Sequence, residues 1–328
     1  MPFGKISLSD SLKESAEEVI RAEEENIVKA KQAHVRYNIV YLYGAVLKAP
    51  QIVHDDDGKP VQAAVSVTVT RGSRNISLLD KKIVYDNPVI RTDKGLLVEE
   101  IEKWDVNDIV MVKGVLATKN AGRPSYCSHC GARNLTPGLL SYVYPIAVRK
   151  LYSCPSTEDC LADLQENKEL SNSINCFGTL VRDPKLKIPA KGIHLLQFPI
   201  GMNRKFVVTQ DPPEIRSDYP WVKIYNEMAD YNMLKLKLYS VIYIDGFLQT
   251  RNVKRITNCE SCKKDYDRTE RILEISPYMG GIEYISGERS EEEVKKIRET
   301  KERKLFEAAG AGRWVTMNAS ETPDEEDN

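Results

Sequence analysis

The sequence has no uninterrupted apolar run near the roughly 18–20 residues that a membrane span requires. Its opening, MPFGKISLSDSLKESAEE, lacks the apolar core of a signal peptide, which predicts an intracellular, cytoplasmic protein. Phosphate loops (G-x-x-x-x-G-K-[ST]), nucleophile elbows (G-x-S-x-G) and zincin helices (H-E-x-x-H) are all missing, so the chain is read as a non-enzyme. Histidine is scarce, at 4 residues, and His34, His54 and His194 stand in no ligand pattern. Cysteine is limited to 7, an odd number, with four in two C-x2-C pairs. In an intracellular chain that usage favours metal over disulfides. What remains is 328 residues at 41% hydrophobic and 29% charged, enough for about two folded domains.

The net charge of −1 is unevenly spread, because residues 171–286 carry +4 and residues 287–328 carry −4. A mildly basic block beside an acidic tail suits local binding of a polyanion. Residues 1–36 read as an N-terminal helical segment, rich in Glu, Ala and Lys. From Tyr37 the texture changes to short β-rich runs, with Val65, Val67 and Val69 alternating with polar residues. Residues 288–309 read as a charged helix, and the end, Pro323-Asp-Glu-Glu-Asp-Asn328, as a disordered acidic tail. Asp55-Asp56-Asp57, before a Gly-Lys-Pro turn, reads as a solvated hairpin tip.

An internal repeat organises the middle of the chain. Gly114-Val-Leu-Ala-Thr-Lys-Asn120 matches Gly246-Phe-Leu-Gln-Thr-Arg-Asn252 at four of seven positions. Each is followed by a C-x2-C whose first Cys lies 13 residues after the glycine. Upstream, Gly44-Ala-Val-Leu-Lys-Ala-Pro50 corresponds to Gly178-Thr-Leu-Val-Arg-Asp-Pro184. Two copies of one all-β unit follow, over residues 37–170 and 171–286, with residues 287–328 as helix and tail. Each copy places a short helix, Leu97–Trp104 or Glu227–Lys235, between its third and fourth main strands. That order predicts a mainly β fold of two tandem OB-fold barrels, one bearing a zinc-knuckle or ribbon insertion, plus charged helices at both ends.

The second copy resembles the bacterial single-stranded DNA-binding protein family. The resemblance is carried by Asn175-Cys-Phe-Gly-Thr-Leu-Val-Arg-Asp-Pro-Lys-Leu186, Gly192 and Phe198-Pro-Ile-Gly-Met-Asn-Arg-Lys-Phe206. It continues through Trp221-Val-Lys-Ile-Tyr-Asn-Glu-Met-Ala-Asp230 and Tyr239-Ser-Val-Ile-Tyr-Ile-Asp-Gly-Phe-Leu-Gln-Thr-Arg251. The first copy resembles the family only through the second. The resemblance implies stoichiometric binding of single-stranded DNA in replication, recombination or repair, with base stacking at Phe206, Tyr219 and Tyr225. A further stacking position of the family is the aliphatic Val253 here. It also implies a homo-oligomer, here a dimer supplying four OB-folds, and possible replication or recombination partners. The acidic end lacks the family's terminal apolar anchor, so it is expected to compete weakly with DNA rather than recruit enzymes. Two alternative functions stand: an interaction subunit docking replication or DNA-transfer enzymes, and an RNA-binding protein.

Independently of the resemblance, single-strand binding needs aromatic faces and cations along the backbone path. Alternation puts Trp221, Lys223 and Tyr225 on one strand face, a poor core and a good stacking platform. Arg182, Arg204, Arg251 and Lys254 surround them in sequence, beside Phe206 and Tyr219. In the first copy Arg71 and Lys119 are the matching cations, with Arg74 and Arg123 near them, but few aromatics accompany them. A purely structural barrel is an equal reading there.

Cys127-Ser-His-Cys130-Gly131 is a knuckle sequence, two thiolates on a tight turn closed by glycine. Cys154 and Cys160, with an unusual x5 spacing, are expected to complete a structural site for one Zn2+ per chain. Unliganded buried thiols are the alternative. Cys259-Glu-Ser-Cys262 lacks the glycine and any downstream ligand, so it reads as a degenerate relic, an intersubunit or redox role being the alternative. His129 reads as a solvent-facing knuckle residue.

Overall fold

The computed structural model describes residues 37–310 apart from 73–82, 191, 205, 207 and 209–216; of residue 190 and residues 301–310 it gives the backbone. The expected N-terminal helix, Arg74, Lys205 and the acidic tail therefore lie outside the described residues. The first repeat comprises β1 (Asn38–Val46), β2 (Gln51–His54), β3 (Pro60–Thr70), β4 (Tyr85–Asp86), β5 (Val89–Thr92), α1 (Gly95–Glu102), β6 (Asp108–Tyr126) and β7 (Arg133–Ser153). Two helices, α2 (Thr157–Glu166) and α3 (Lys168–Ser171), lead into the second repeat. It follows the same order as β8 (Asn172–Leu180), β9 (Lys185–Ala190), β10 (Ile193–Asn203), β11 (Ser217–Asp218), β12 (Trp221–Tyr225), α4 (Asn226–Lys235), β13 (Val241–Asn258) and β14 (Asp265–Ser286). The last helix among the described residues is α5 (Glu291–Gly310).

Strand pairing runs in a cycle within each repeat. β1 pairs with β3 and β6, β3 with β5, β5 in parallel with β7, and β7 with β6. The second repeat copies it, β8 with β10 and β13, β10 with β12, β12 in parallel with β14, and β14 with β13. The mainly β, OB-type architecture is as the element order predicts. Repeat glycines mark where strands press together. A Cβ on Gly114 would lie 2.6 Å from the Tyr144 carbonyl oxygen, and one on Gly246 2.5 Å from that of Ser276. Only hydrogen fits there, which is why the glycine landmarks recur.

The two repeats join edge to edge. β1 pairs antiparallel with β8, from Asn38 opposite Cys176 to Leu42 opposite Asn172, merging all strands into one 14-stranded sheet. The main apolar core spans both repeats, running from Val40, Leu42 and Trp104 to Ile174, Phe198 and Ile275. An asparagine clasp repeats on each side of this seam. The Asn38 amide donates to Leu116 O at 2.8 Å and accepts from Leu116 N at 3.0 Å; Asn172 does the same with Leu248 at the same distances.

β6 and β7 run for 19 and 21 residues and β13 and β14 for 18 and 22, against about 5–6 for an ordinary strand. The extra length carries each pair beyond its barrel as a two-stranded ribbon. No helix among the described residues is long and apolar enough to cross a membrane.

Candidate nucleic-acid interface and metal centre

The two ribbon tips end in the same turn. At the first, Cys127 N donates to Ala132 O at 2.9 Å and Gly131 N to Cys127 O at 2.9 Å. At the second, Cys259 N donates to Lys264 O at 3.0 Å and Lys263 N to Cys259 O at 2.8 Å. Gly131 has φ +72° and Lys263, at the equivalent place, φ +58°. The lysine adopts the left-handed conformation without being glycine, at a cost of order 1 kcal/mol, so the second knuckle is complete rather than a relic.

The tips face each other and bring four thiols together. The sulfurs of Cys127, Cys130, Cys259 and Cys262 all lie within 4.8 Å of one another. Cys127 Sγ is 3.7 Å from Cys262 Sγ, and Cys130 Sγ 3.6 Å from Cys259 Sγ. This corrects the expected ligand set. Cys154 and Cys160 sit at the opposite end of β7, near Tyr43, Ala45 and Ile109. A ribbon strand of 21 residues at about 3.3 Å each carries Cys154 far from the tip. Each knuckle finds its missing pair on the other repeat.

The surroundings act in opposite directions on Cys259 and Cys130. The Cys262 backbone N–H, against desolvation, holds the Cys259 thiol down to about 6, helped by the Asn134 amide, whose Nδ2 lies 3.6 Å from Cys259 Sγ. His129 N points at Cys127 Sγ from 3.4 Å. The Ala132 N–H likewise favours the Cys130 thiolate, but desolvation and hydrogen bonding with Cys259, Cys262 and Cys127 outweigh it and push Cys130 up to about 12. Four thiolates at this spacing repel unless a cation sits among them. His129 is exposed, its Nε2 3.0 Å from Asp265 O, in keeping with a non-ligand role.

Arg204 and Arg71, expected as backbone contacts, are instead committed to a pair of latches between the repeats. Arg204 reaches both Asp218 oxygens at 2.6 Å, and Asp218 accepts from Thr118 N at 2.6 Å. Arg71 reaches the Asp86 oxygens at 2.6 and 3.2 Å, and Asp86 accepts from Thr250 N at 2.6 Å. Each arginine thus grips an aspartate that reaches across to a threonine of the other repeat. Phe206 is also occupied, packing beside Val208 on Val115, Ala117, Tyr142 and Tyr144 of the first repeat.

The aromatic side of β12 forms as alternation implies, but it is more polar than expected. Trp221 and Tyr225 are half-buried and Tyr219, 47% exposed, stands beside them. Lys223 is buried, 3.6 Å from Glu274, which also takes Arg251 Nε at 2.8 Å. Gln249 Nε2 donates to Tyr225 Oη at 2.7 Å. Burial lowers Lys223 to about 8, with Glu274 opposing the shift. Lys223 therefore supports the face from beneath, and Arg182, Arg251, Lys254 and Lys119 are the exposed cations among the expected residues.

Residues 171–268 match the model of the single-strand binding protein family. That stretch, most of the second repeat, is similar to the family. Single-stranded DNA-binding protein 1 of Staphylococcus aureus strain MSSA476 is 32% identical over 75 residues, and the single-stranded DNA-binding protein of strain N315 matches equally. The alignments cover 23% of this chain, and the chain spans about half, 47%, of the length of these relatives. In fold, the wild-type single-stranded DNA-binding protein from Thermus aquaticus superposes with a TM-score of 0.50 at 12% identity, over 78% of this chain and 97% of that one. That superposition spans both repeats, whereas the single-strand binding family match begins at the second.

Proposed function

We propose that the chain binds single-stranded DNA without catalysis, on the β12 face of the second repeat, during replication, recombination or repair. Residues 37–170 and 171–286 are its two OB units. The observation that carries this reading is the coincidence of the family match with the exposed Tyr219 and the half-buried Trp221 and Tyr225, accompanied by the exposed cations Arg182, Arg251 and Lys254. Bases stack on such rings without sequence preference, and the cations follow the phosphates. Self-association as a dimer belongs to the same reading.

Cys127, Cys130, Cys259 and Cys262 hold one structural Zn2+ per chain in this proposal. A tetrahedral site with Zn–S near 2.3 Å requires S···S separations of about 3.8 Å, and the two cross-tip pairs lie at 3.7 and 3.6 Å. Backbone N–H donors around the sulfurs are the supporting shell such a site needs. With four thiolates the metal has no open position, so its contribution is to fix the ribbons.

The test is a tryptophan fluorescence titration with poly(dT), poly(rU) and duplex DNA over a range of salt. Quenching by poly(dT) well below the duplex concentration required, weakening steeply with salt, is the expected result. Equal affinity for duplex overturns the reading, and preference for poly(rU) replaces DNA by RNA.

A further inference from the structure

Below the knuckles, a cleft of about 520 Å³ opens between the two ribbons. Arg123, Tyr126, Asp267, Arg268, Glu270 and Arg271 line it. Its charges are unbalanced around one carboxylate. Glu270 pairs with Arg123, with Arg268 at 3.4 Å and with Arg255 at 3.8 Å. Desolvation, then Arg268 and Arg255, lower the proton affinity of Arg123, as expected of guanidiniums crowded together. Among the described residues, Arg123 Nε and Arg268 Nε and Nη1 are buried without a hydrogen-bond partner. Buried donors of a charged group left unmatched are costly, and another anion in the cleft removes that cost.

We infer that this inter-ribbon cleft binds the phosphodiester backbone of a single strand, extending the path that begins on the β12 face. The inference rests on the single-stranded DNA reading. Guanidinium forks match phosphate oxygens bidentately. Two features favour a nucleic-acid backbone over a free anion. Tyr126 is 70% exposed at the cleft and offers a ring for a base. The exposed Arg251 and Arg255 also share one face of β13 and run from Glu274 of the β12 face to Glu270 of the cleft.

Arg268→Gln and Glu270→Gln test it in the full chain, with oligo(dT) titrated over salt, inorganic pyrophosphate as a second probe, and thermal stability recorded for both variants. Each single-strand phosphate contact contributes a slope of about −0.7 in log K against log salt. Arg268→Gln is expected to flatten the slope by about that amount and weaken binding several-fold. Glu270→Gln is expected to tighten binding at low salt by a similar factor, a gain that a merely structural carboxylate would not give. Wild-type protein that binds oligo(dT) with slopes unchanged in both variants overturns the inference alone. So does weaker oligo(dT) binding by Glu270→Gln. Loss of pyrophosphate binding with intact oligo(dT) binding in Arg268→Gln also overturns it, by making the cleft a small-anion site. A wild-type chain that ignores oligo(dT) overturns both this inference and the proposed function.

Discussion

The outer faces of β5 and β12 occupy equivalent places in the two repeats, and their side chains differ in kind. Parallel pairing sets the correspondence, Ile90 with Val143 in one repeat and Val222 with Ile275 in the other. Trp221, Lys223 and Tyr225 therefore stand where the first repeat has Val89, Arg91 and Asp93. There Arg91 lies 5.9 Å from the centre of the buried Tyr142 ring, and Asp93 accepts from the Tyr144 hydroxyl at 3.2 Å. The frame, by contrast, is duplicated: an asparagine clasp within each repeat, and the arginine latches and knuckles that join the two. Divergence on that face, within a frame kept on both sides, is the pattern expected when one repeat binds and the other supports it.

The largest effect belongs to the frame. Arg204→Ala leaves Asp218 buried without its cation, and breaking such a pair costs about 3–5 kcal/mol; both side chains are nearly inaccessible. Urea unfolding should show that loss. Arg71→Ala, at the more exposed mirror latch with 24% of its side chain accessible, should cost clearly less. A normally stable Arg204→Ala with weakened DNA binding would return that residue to the phosphate path.

The faces separate the repeats next. Tyr219→Ala and Tyr225→Ala together should weaken single-strand binding by roughly 2–6 kcal/mol if each ring stacks one base at about 1–3 kcal/mol. Val89→Ala, at the place equivalent to Trp221, should leave affinity unchanged. Comparable losses in both repeats would show that the first also binds.

The smallest effect is on pH dependence. Burial lowers Lys223 to about 8 from the ordinary 10.5, so between those values the unfolded chain binds more protons than the folded one. Stability should rise with pH across that window on this account and stay flat below it. Lys223→Met should remove the rise, seen as parallel urea midpoints at pH 8 and 10; a persistent rise would assign it to another group.

The duplication is readable from sequence because close strand crossings admit only glycine, so Gly114 and Gly246 recur in register. Alternation likewise shows the β12 face, since side chains on a strand must alternate. Pairing between distant parts is not readable this way. Spacing identifies knuckles but not which two meet, and the x5 pair Cys154 and Cys160 was the nearer candidate in sequence. The useful signal was the common 13-residue offset of Cys127 and Cys259 from their glycines, which puts both at the same end of equivalent ribbons. Arg204 resembles any surface cation until Asp218 and Thr118 are placed beside it, and Thr118 lies in the other repeat. Lys263 hides the second knuckle because its left-handed backbone is unusual for a residue with a Cβ.

Metal content measured on three purified proteins tests most directly whether the duplicated ribbons are pinned to one another. Wild type and Cys154→Ser/Cys160→Ser should each carry about one zinc per chain, and Cys259→Ser/Cys262→Ser should carry almost none. Zinc retained by the Cys259/Cys262 variant and lost from the Cys154/Cys160 variant would contradict the shared site and restore a metal centre held by the first repeat alone.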